Sequence, residues 1–229
     1  MSLGEDLPYA ARTLSKRERD KLDVYTFRSP KCARTVQIVG TVAFSQALLL
    51  EFNVDVSIFV ERPRRITYGD RTGDISYWYR LADGQEKYLL LVPTPDTEAL
   101  AGGRRQHRHI EQLQEAARAI GIAIELKFEP EILAEAARIA TFFHLLPFVQ
   151  TALRLNNRMP LQQDIAAFVE RHPRCSLSQV EAALSEYRVD DVRAVTCDLI
   201  HAGCVEIDAA SVLHAHTTIT TGRKSRGQA

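Results

Sequence analysis

The pattern of apolar and polar positions changes character near residue 143. Before it, helical and strand-like stretches are mixed; after it, short helices and one hairpin dominate. Thr41 to Phe52 has no Gly or Pro and is apolar on more than one face, which predicts a buried helix broken at Asn53. Strands are predicted at Val56 to Val60, at Arg65 to Tyr68, and at Asp74 to Arg80. In the last, Ile75, Tyr77 and Tyr79 alternate with Ser76, Trp78 and Arg80. Ala82-Asp83-Gly84-Gln85 reads as a hairpin turn into Lys87 to Val92, whose consecutive apolar residues suit a central strand closed by Pro93.

A helix over Gln106 to Ile120, stopped at Gly121, separates that strand from another at Ile122 to Phe128. This strand–helix–strand unit is a candidate parallel crossover. A helix from Pro130 or Glu131 to about Ala140 follows. Further on, helices are predicted at Leu145 to Leu155, Pro160 to Arg171, Leu177 to Tyr187 (capped by Ser176 or Ser178) and Val192 to His201 (capped by Asp190 or Asp191). Short strands at Val205 to Ile207 and Leu213 to Thr220 then complete a winged-helix pattern. The fold class expected is α/β. A restriction-endonuclease-like mixed sheet flanked by helices precedes a small helical winged-helix-like domain. The division expected is an irregular arm over 1–35, a nuclease-fold domain over 36–142, a winged-helix-like domain over 143–222 and a basic tail over 223–229.

Composition narrows the classes. In 229 residues, 45% are hydrophobic and 25% charged, ordinary for a globular protein. No apolar run reaches the roughly 18 to 20 residues that cross a bilayer, and Met1-Ser2-Leu3-Gly4-Glu5-Asp6 shows no secretory pattern. Four scattered cysteines, Cys32, Cys175, Cys197 and Cys204, lack zinc-knuckle spacing. A cytoplasmic, reducing compartment is expected. The net charge is zero, so any nucleic-acid binding rests on local clusters or on a partner. The clusters are Arg62, Arg64 and Arg65; Arg104, Arg105 and Arg108; and Arg223-Lys224-Ser225-Arg226. The run Arg104 to His109 reads equally as phosphate contact or as a solvated helix entry. His107 and His109 have no companion Cys or acid cluster for a metal, and no Ser or Cys nucleophile has a visible His-plus-acid constellation.

The segment Leu50-Glu51-Phe52-Asn53-Val54-Asp55-Val56-Ser57-Ile58-Phe59-Val60-Glu61-Arg62-Pro63 resembles the helix-end, strand and E-x-P segment of the TnsA family, the endonuclease subunit of heteromeric transposases. The resemblance continues through Gly73-Asp74, the hairpin, Leu89 to Pro93 and the Gln106 to Phe128 unit with Glu129-Pro130-Glu131-Ile132. It covers most of the chain and rests on order and spacing. It implies a restriction-endonuclease-like domain and a winged-helix-type end. It also implies a helical Glu, an Asp and a Glu/Gln-x-Lys around Mg²⁺, with an integrase-type transposase, an AAA+ regulator and transposon-end DNA as partners.

The family's helical Glu falls here on Ala43, its Asp on Asp74, and its Glu/Gln-x-Lys on Leu90-Leu91-Val92. Only Asp74 is retained. The neighbours of Ala43 on its helical face, Gln46, Ala47 and Leu50, are not acidic, and Glu51 points further round. Glu86 is four residues from Leu90, about 13 Å along a strand. One carboxylate does not replace three ligands of a hard cation, so no useful Mg²⁺ site and no bound metal are expected. Asp74 alone reads as a turn or capping residue, and Asp70, Glu86 and Glu61 read as surface acids. On the last long helix the expected exposed set, Asp191, Arg193 and Asp198, is poor for reading bases. The reading reached is a TnsA-like accessory subunit deficient in cleavage. The alternatives are an active Mg-dependent endonuclease with relocated ligands and a winged-helix DNA-binding regulator.

Overall fold

A computed structural model describes residues 7–223. The segment Met1 to Asp6 and the basic-tail residues after Arg223 lie outside the described residues. Among those described, eight helices and thirteen strands are formed. In chain order they begin α1 (Lys16–Lys21), β1 (Val24–Ser29), β2 (Arg34–Val39), α2 (Thr41–Glu51), β3 (Val56–Glu61), β4 (Arg65–Tyr68), β5 (Arg71–Asp74), β6 (Tyr77–Leu81) and β7 (Glu86–Val92). There follow β8 (Thr97–Ala99), β9 (Arg105–His107), α3 (Ile110–Ala119), β10 (Ile124–Phe128), α4 (Glu129–Leu133) and α5 (Ala136–Ala152). The chain ends with α6 (Arg158–Arg171), β11 (Arg174–Ser176), α7 (Leu177–Ala183), α8 (Val189–Ala202), β12 (Val205–Ile207) and β13 (Thr218–Thr221). None of these helices is long and apolar enough to cross a membrane.

The chain divides into two compact units. One takes the chain up to Phe27, Thr35–Ala47 and Asp55–Ala134; the other takes Arg28–Arg34, Leu48–Val54 and the chain from Glu135 onward. The first is built on a four-stranded mixed sheet in the order β10-β7-β6-β3. Its central β7 pairs antiparallel with β6, Tyr77 opposite Leu89, and parallel with β10, Leu126 opposite Leu90. The expected crossover through α3 is therefore present. One face of the sheet carries Tyr88, Leu90, Ile124 and Leu126 against a buried cluster of Ile66, Ile75, Leu113 and Ala117. The other face carries Tyr77, whose hydroxyl donates to the main-chain carbonyl of Ala43 on α2 at 2.6 Å. Two small ribbons, β4-β5 and β8-β9, project from this frame.

In the second unit α6, α7 and α8 are followed by β12 and β13, and β11, between α6 and α7, joins them in a sheet ordered β11-β13-β12. Ser176 caps α7 by accepting from the Gln179 N–H, as its position before Leu177 predicts. Gly203, in the left-handed region, ends α8. Both α5 and α6 pack along α8, so the residues from Ala194 to Ile200 are buried without interruption.

Several elements differ from the sequence reading. The arm expected to be irregular carries β1, which pairs with β2. Its turn holds Ala33 at φ 52°, a left-handed position without the glycine that would signal it. The helix expected from Gln106 starts at Ile110, because Arg105–His107 pairs with Thr97–Ala99. The strand expected over Asp74 to Arg80 is broken: Asp74 pairs with Arg65 in β4-β5, and β6 begins at Tyr77. Tyr77, Trp78 and Tyr79 are all buried, so both faces of β6 are covered. The helices around residues 130 and 145 become α4 and one long α5 that contains Pro147. The final strand is only Thr218–Thr221. Asp190 and Asp191 sit in the first turn of α8 rather than at its cap, where their charge still suits the helix dipole.

Candidate functional site

The four positions that the resemblance singles out, Ala43, Asp74, Leu90 and Val92, do not form one polar pocket. Tyr77 ties the Ala43 segment of α2 to one face of the sheet. Tyr77 lies opposite Leu89, and strand alternation turns Leu90 to the other face, where it packs against the α3 cluster. Val92 pairs with Phe128 and is buried. Leu90 and Val92 are thus packing residues. Beside Ala43, Gln46 is buried with its Oε1 lacking a hydrogen bond. A single neutral oxygen there is a poor substitute for a carboxylate ligand.

Asp74 stands at the end of β5, and both its oxygens face guanidinium groups. Arg12 Nε donates to the two carboxylate oxygens at 2.9 and 3.0 Å, and its terminal nitrogen makes a further short contact. Arg65 Nε lies 3.4 Å away on the strand opposite. Arg12 is in turn held by Glu18 at 2.7 and 3.2 Å. The hydrogen bonds it donates to Glu18, then those it donates to Asp74, raise the guanidinium pKa further above its ordinary value. Glu18 closes a capping box with Ser15 at the start of α1. Its carboxyl is held well below the ordinary range by Arg12 first, then by the Ser15 hydroxyl and N–H. A fixed positive charge therefore stands against Asp74 where a divalent cation would have to approach. Asp74 is an ion-pair anchor rather than the lone turn residue the sequence suggested. Arg12 was missed because its arm looked irregular; no local motif marks it.

The acids thought to lie at the surface divide. Glu86 accepts from Trp78 Nε1 at 3.1 Å and from Arg80 at 3.4 Å. Glu61, however, is buried on β3 opposite Tyr77. The phenol pKa of Tyr77 is raised, by burial first and then by the Glu61 charge. Among the described residues no group of three or more His, Cys, Asp or Glu side chains is placed to hold a metal ion.

The basic candidates also separate. Arg62 adopts φ 47°. Its guanidinium donates to the carbonyls of Gln37 at 2.8 Å and Arg12 at 3.2 and 3.3 Å. Burial lowers its pKa from the ordinary value. Arg62 is thus a main-chain clamp, and the left-handed backbone is held by bonds to Ser76 and Arg12. Arg65 faces solvent beside Asp74, and Arg64 is half-buried. Arg104, Arg105 and Arg108 are exposed on or beside the β8-β9 ribbon. Arg105 donates to Thr97 Oγ1 and Arg108 to the Thr97 carbonyl, at 3.0 and 3.1 Å. This run is a strand and turn that lead into α3, with His109 at its N-cap. His107 is buried, and its Nδ1 accepts from the His109 N–H at 3.1 Å.

In the second unit, Asp198 is not on an exposed face of α8. It is buried and accepts from Arg158 at 2.8 and 3.0 Å and from Gln162 at 2.6 Å. Glu51 is also buried, accepting from Ser29 Oγ, the Lys31 N–H and His201, the last at 2.8 Å. The serine bonds the acid and not the imidazole, so this trio lacks the Ser–His contact that nucleophilic catalysis needs. It staples the first hairpin turn, the end of α2 and the end of α8 into one unit. No protein-family model matches the chain, and no curated protein matches it.

Proposed function

We propose that this chain is a TnsA-like accessory subunit of a DNA transposition complex that does not cleave DNA. The observation that carries the reading is the state of Asp74. The one retained acid is paired with Arg12 and Arg65, while Leu90 and Val92 serve as packing. Mg²⁺ needs several converging oxygens to be held where it could activate water or stabilise a leaving group, and on this reading these positions do not supply them.

Supporting the nuclease ancestry is the succession α2, β3, β6, β7, α3, β10 around the sheet β10-β7-β6-β3. That succession fits a restriction-endonuclease-like core. The succession α6, β11, α7, α8, β12, β13 with sheet order β11-β13-β12 fits a winged-helix end. The winged-helix regulator reading is weakened by the same unit. A recognition helix must present side chains to a groove, whereas α8 is buried over Ala194 to Ile200.

The role left is assembly. The subunit would join an integrase-type transposase and an AAA+ regulator in the cytoplasm, near transposon-end DNA. The β8-β9 ribbon with Arg104, Arg105 and Arg108 would supply phosphate contacts. An element relying on it would leave the second strand uncut and give cointegrate products. The test is reconstitution with the transposase, a transposon-end duplex and Mg²⁺ or Mn²⁺. Co-purification with the transposase and absence of 5′-strand nicking are expected. Nicking that disappears in Asp74→Ala overturns the reading in favour of an active endonuclease.

A further inference from the structure

The strand β10 is an edge of the main sheet; among the described residues its strand neighbour is β7 alone. The opposite edge, β3, carries a register shift between Val56 and Ile58, an irregularity that spoils an edge for further pairing. β10 has no such shift and runs in register from Ile124 to Phe128. Beside it lies a groove of about 430 Å³ between strand and helix, lined by Leu113, Ala117, Ile124 and Leu126 together with the polar Gln114 and Arg118.

We propose that β10 is a homodimer edge, pairing antiparallel with β10 of a second copy about a twofold axis at Leu126. The argument is charge and face complementarity. Glu125 and Lys127 share one face, where Glu125 accepts from the Tyr79 hydroxyl at 3.0 Å. Ile124 and Leu126 share the other, against the α3 cluster.

With Leu126 opposite its own copy, Glu125 falls opposite Lys127 of the second copy, and the reverse pair repeats it. On the apolar face Ile124 falls opposite Phe128, also twice. Sliding the register by two residues sets Glu125 against Glu125, or Lys127 against Lys127. Sliding it by one sets the charged face against the apolar one. Only the Leu126-centred register satisfies both faces, and it brings the two α3 grooves side by side on one face of the joined sheet. The existing Lys127–Glu131 pair, at 3.6 Å and open to solvent, does not hold the lysine away from this role.

The test is sedimentation equilibrium of the full chain at up to about 100 μM, a range that detects weak self-association. A reversible dimer is expected. Lys127→Glu turns both attractions into repulsions and should weaken it by roughly tenfold or more, from the range of single cross-strand pairs. The double exchange Glu125→Lys with Lys127→Glu restores opposite charges and should recover most of the loss, less the Tyr79 contact. A monomer throughout, a dimer indifferent to Lys127→Glu, or no recovery in the exchange overturns the proposal. If Lys127→Glu fails to fold by circular dichroism, amide exchange in the unmodified chain decides. Protection of 124–128 that rises with protein concentration supports the edge, and protection that does not change overturns it.

Discussion

Replacing Arg12 by Ala tests the guanidinium clamp most informatively. The change removes both Nε contacts with Asp74, at 2.9 and 3.0 Å, and those with Glu18, at 3.2 and 2.7 Å. Asp74 would keep only Arg65, at 3.4 Å on a side chain 62% exposed. Hydrogen bonds to charged groups contribute about 1.5–3 kcal/mol, and exposed ion pairs about 0.2–1 kcal/mol. The Arg12 and Asp74 side chains are 22% and 23% exposed, so the clamp falls between these limits, at about 1.5–2 kcal/mol. That corresponds to a fall in melting temperature of about 3–8 °C for a chain of this size.

A double-mutant cycle of Arg12→Ala with Asp74→Asn, read by urea unfolding, should return a coupling of about 1 kcal/mol or more. The pH dependence follows from Glu18, whose folded pKa lies below its ordinary 4.5. Its stabilisation is fully present above 4.5 and is lost as pH falls from there through the folded value. Arg12→Ala removes the main cause of that depression and should flatten this acid limb. A coupling below about 0.3 kcal/mol, the usual scatter of independent sites, with an unchanged acid limb, would refute the clamp.

Other predictions concern separate parts of the chain. Asp198→Ala leaves Arg158 and Gln162 without their buried acceptor. It should destabilise by about 2–3 kcal/mol in chemical denaturation, below the full cost of breaking a buried pair because Arg158 is partly solvated. Of the four cysteines, Cys32, Cys175 and Cys197 are buried, and burial pushes the Cys197 thiol up to about 12. An aromatic disulfide reagent should therefore react fast at Cys204 only, and at all four after unfolding. If the chain binds duplex DNA, Arg104→Ala with Arg108→Ala should lower the salt dependence by about one to two phosphate contacts. Arg62→Ala should instead lower stability, because its donors hold main-chain carbonyls.

Much of the sheet was legible because its strands are bounded by turn chemistry. The prediction for Arg65 to Tyr68 matches β4, and Gly121 lies two residues beyond the end of α3. What stayed hidden was long-range. The Arg12–Asp74 pair joins residues 62 apart, and no periodicity predicts it. Glu61 and Asp198 were taken for surface acids because their neighbours in sequence gave no sign of cover on the second side. Val205–Ile207 was found, but the pairing of β11 with β13 was not, since a three-residue strand gives no alternation to read. That Ala43, Leu90 and Val92 carry no metal-ligating group was visible at once. That Leu90 faces α3, away from the Ala43 side of the sheet, needed the register.

Thermal unfolding in saturating Mg²⁺ or Mn²⁺ addresses the central claim directly. Ligand at 100 times its dissociation constant would stabilise the fold by about 2.7 kcal/mol. An inert, arginine-filled site predicts no specific shift beyond that of matched ionic strength, in the native chain and in Asp74→Ala alike. A metal-dependent rise that Asp74→Ala abolishes would contradict it.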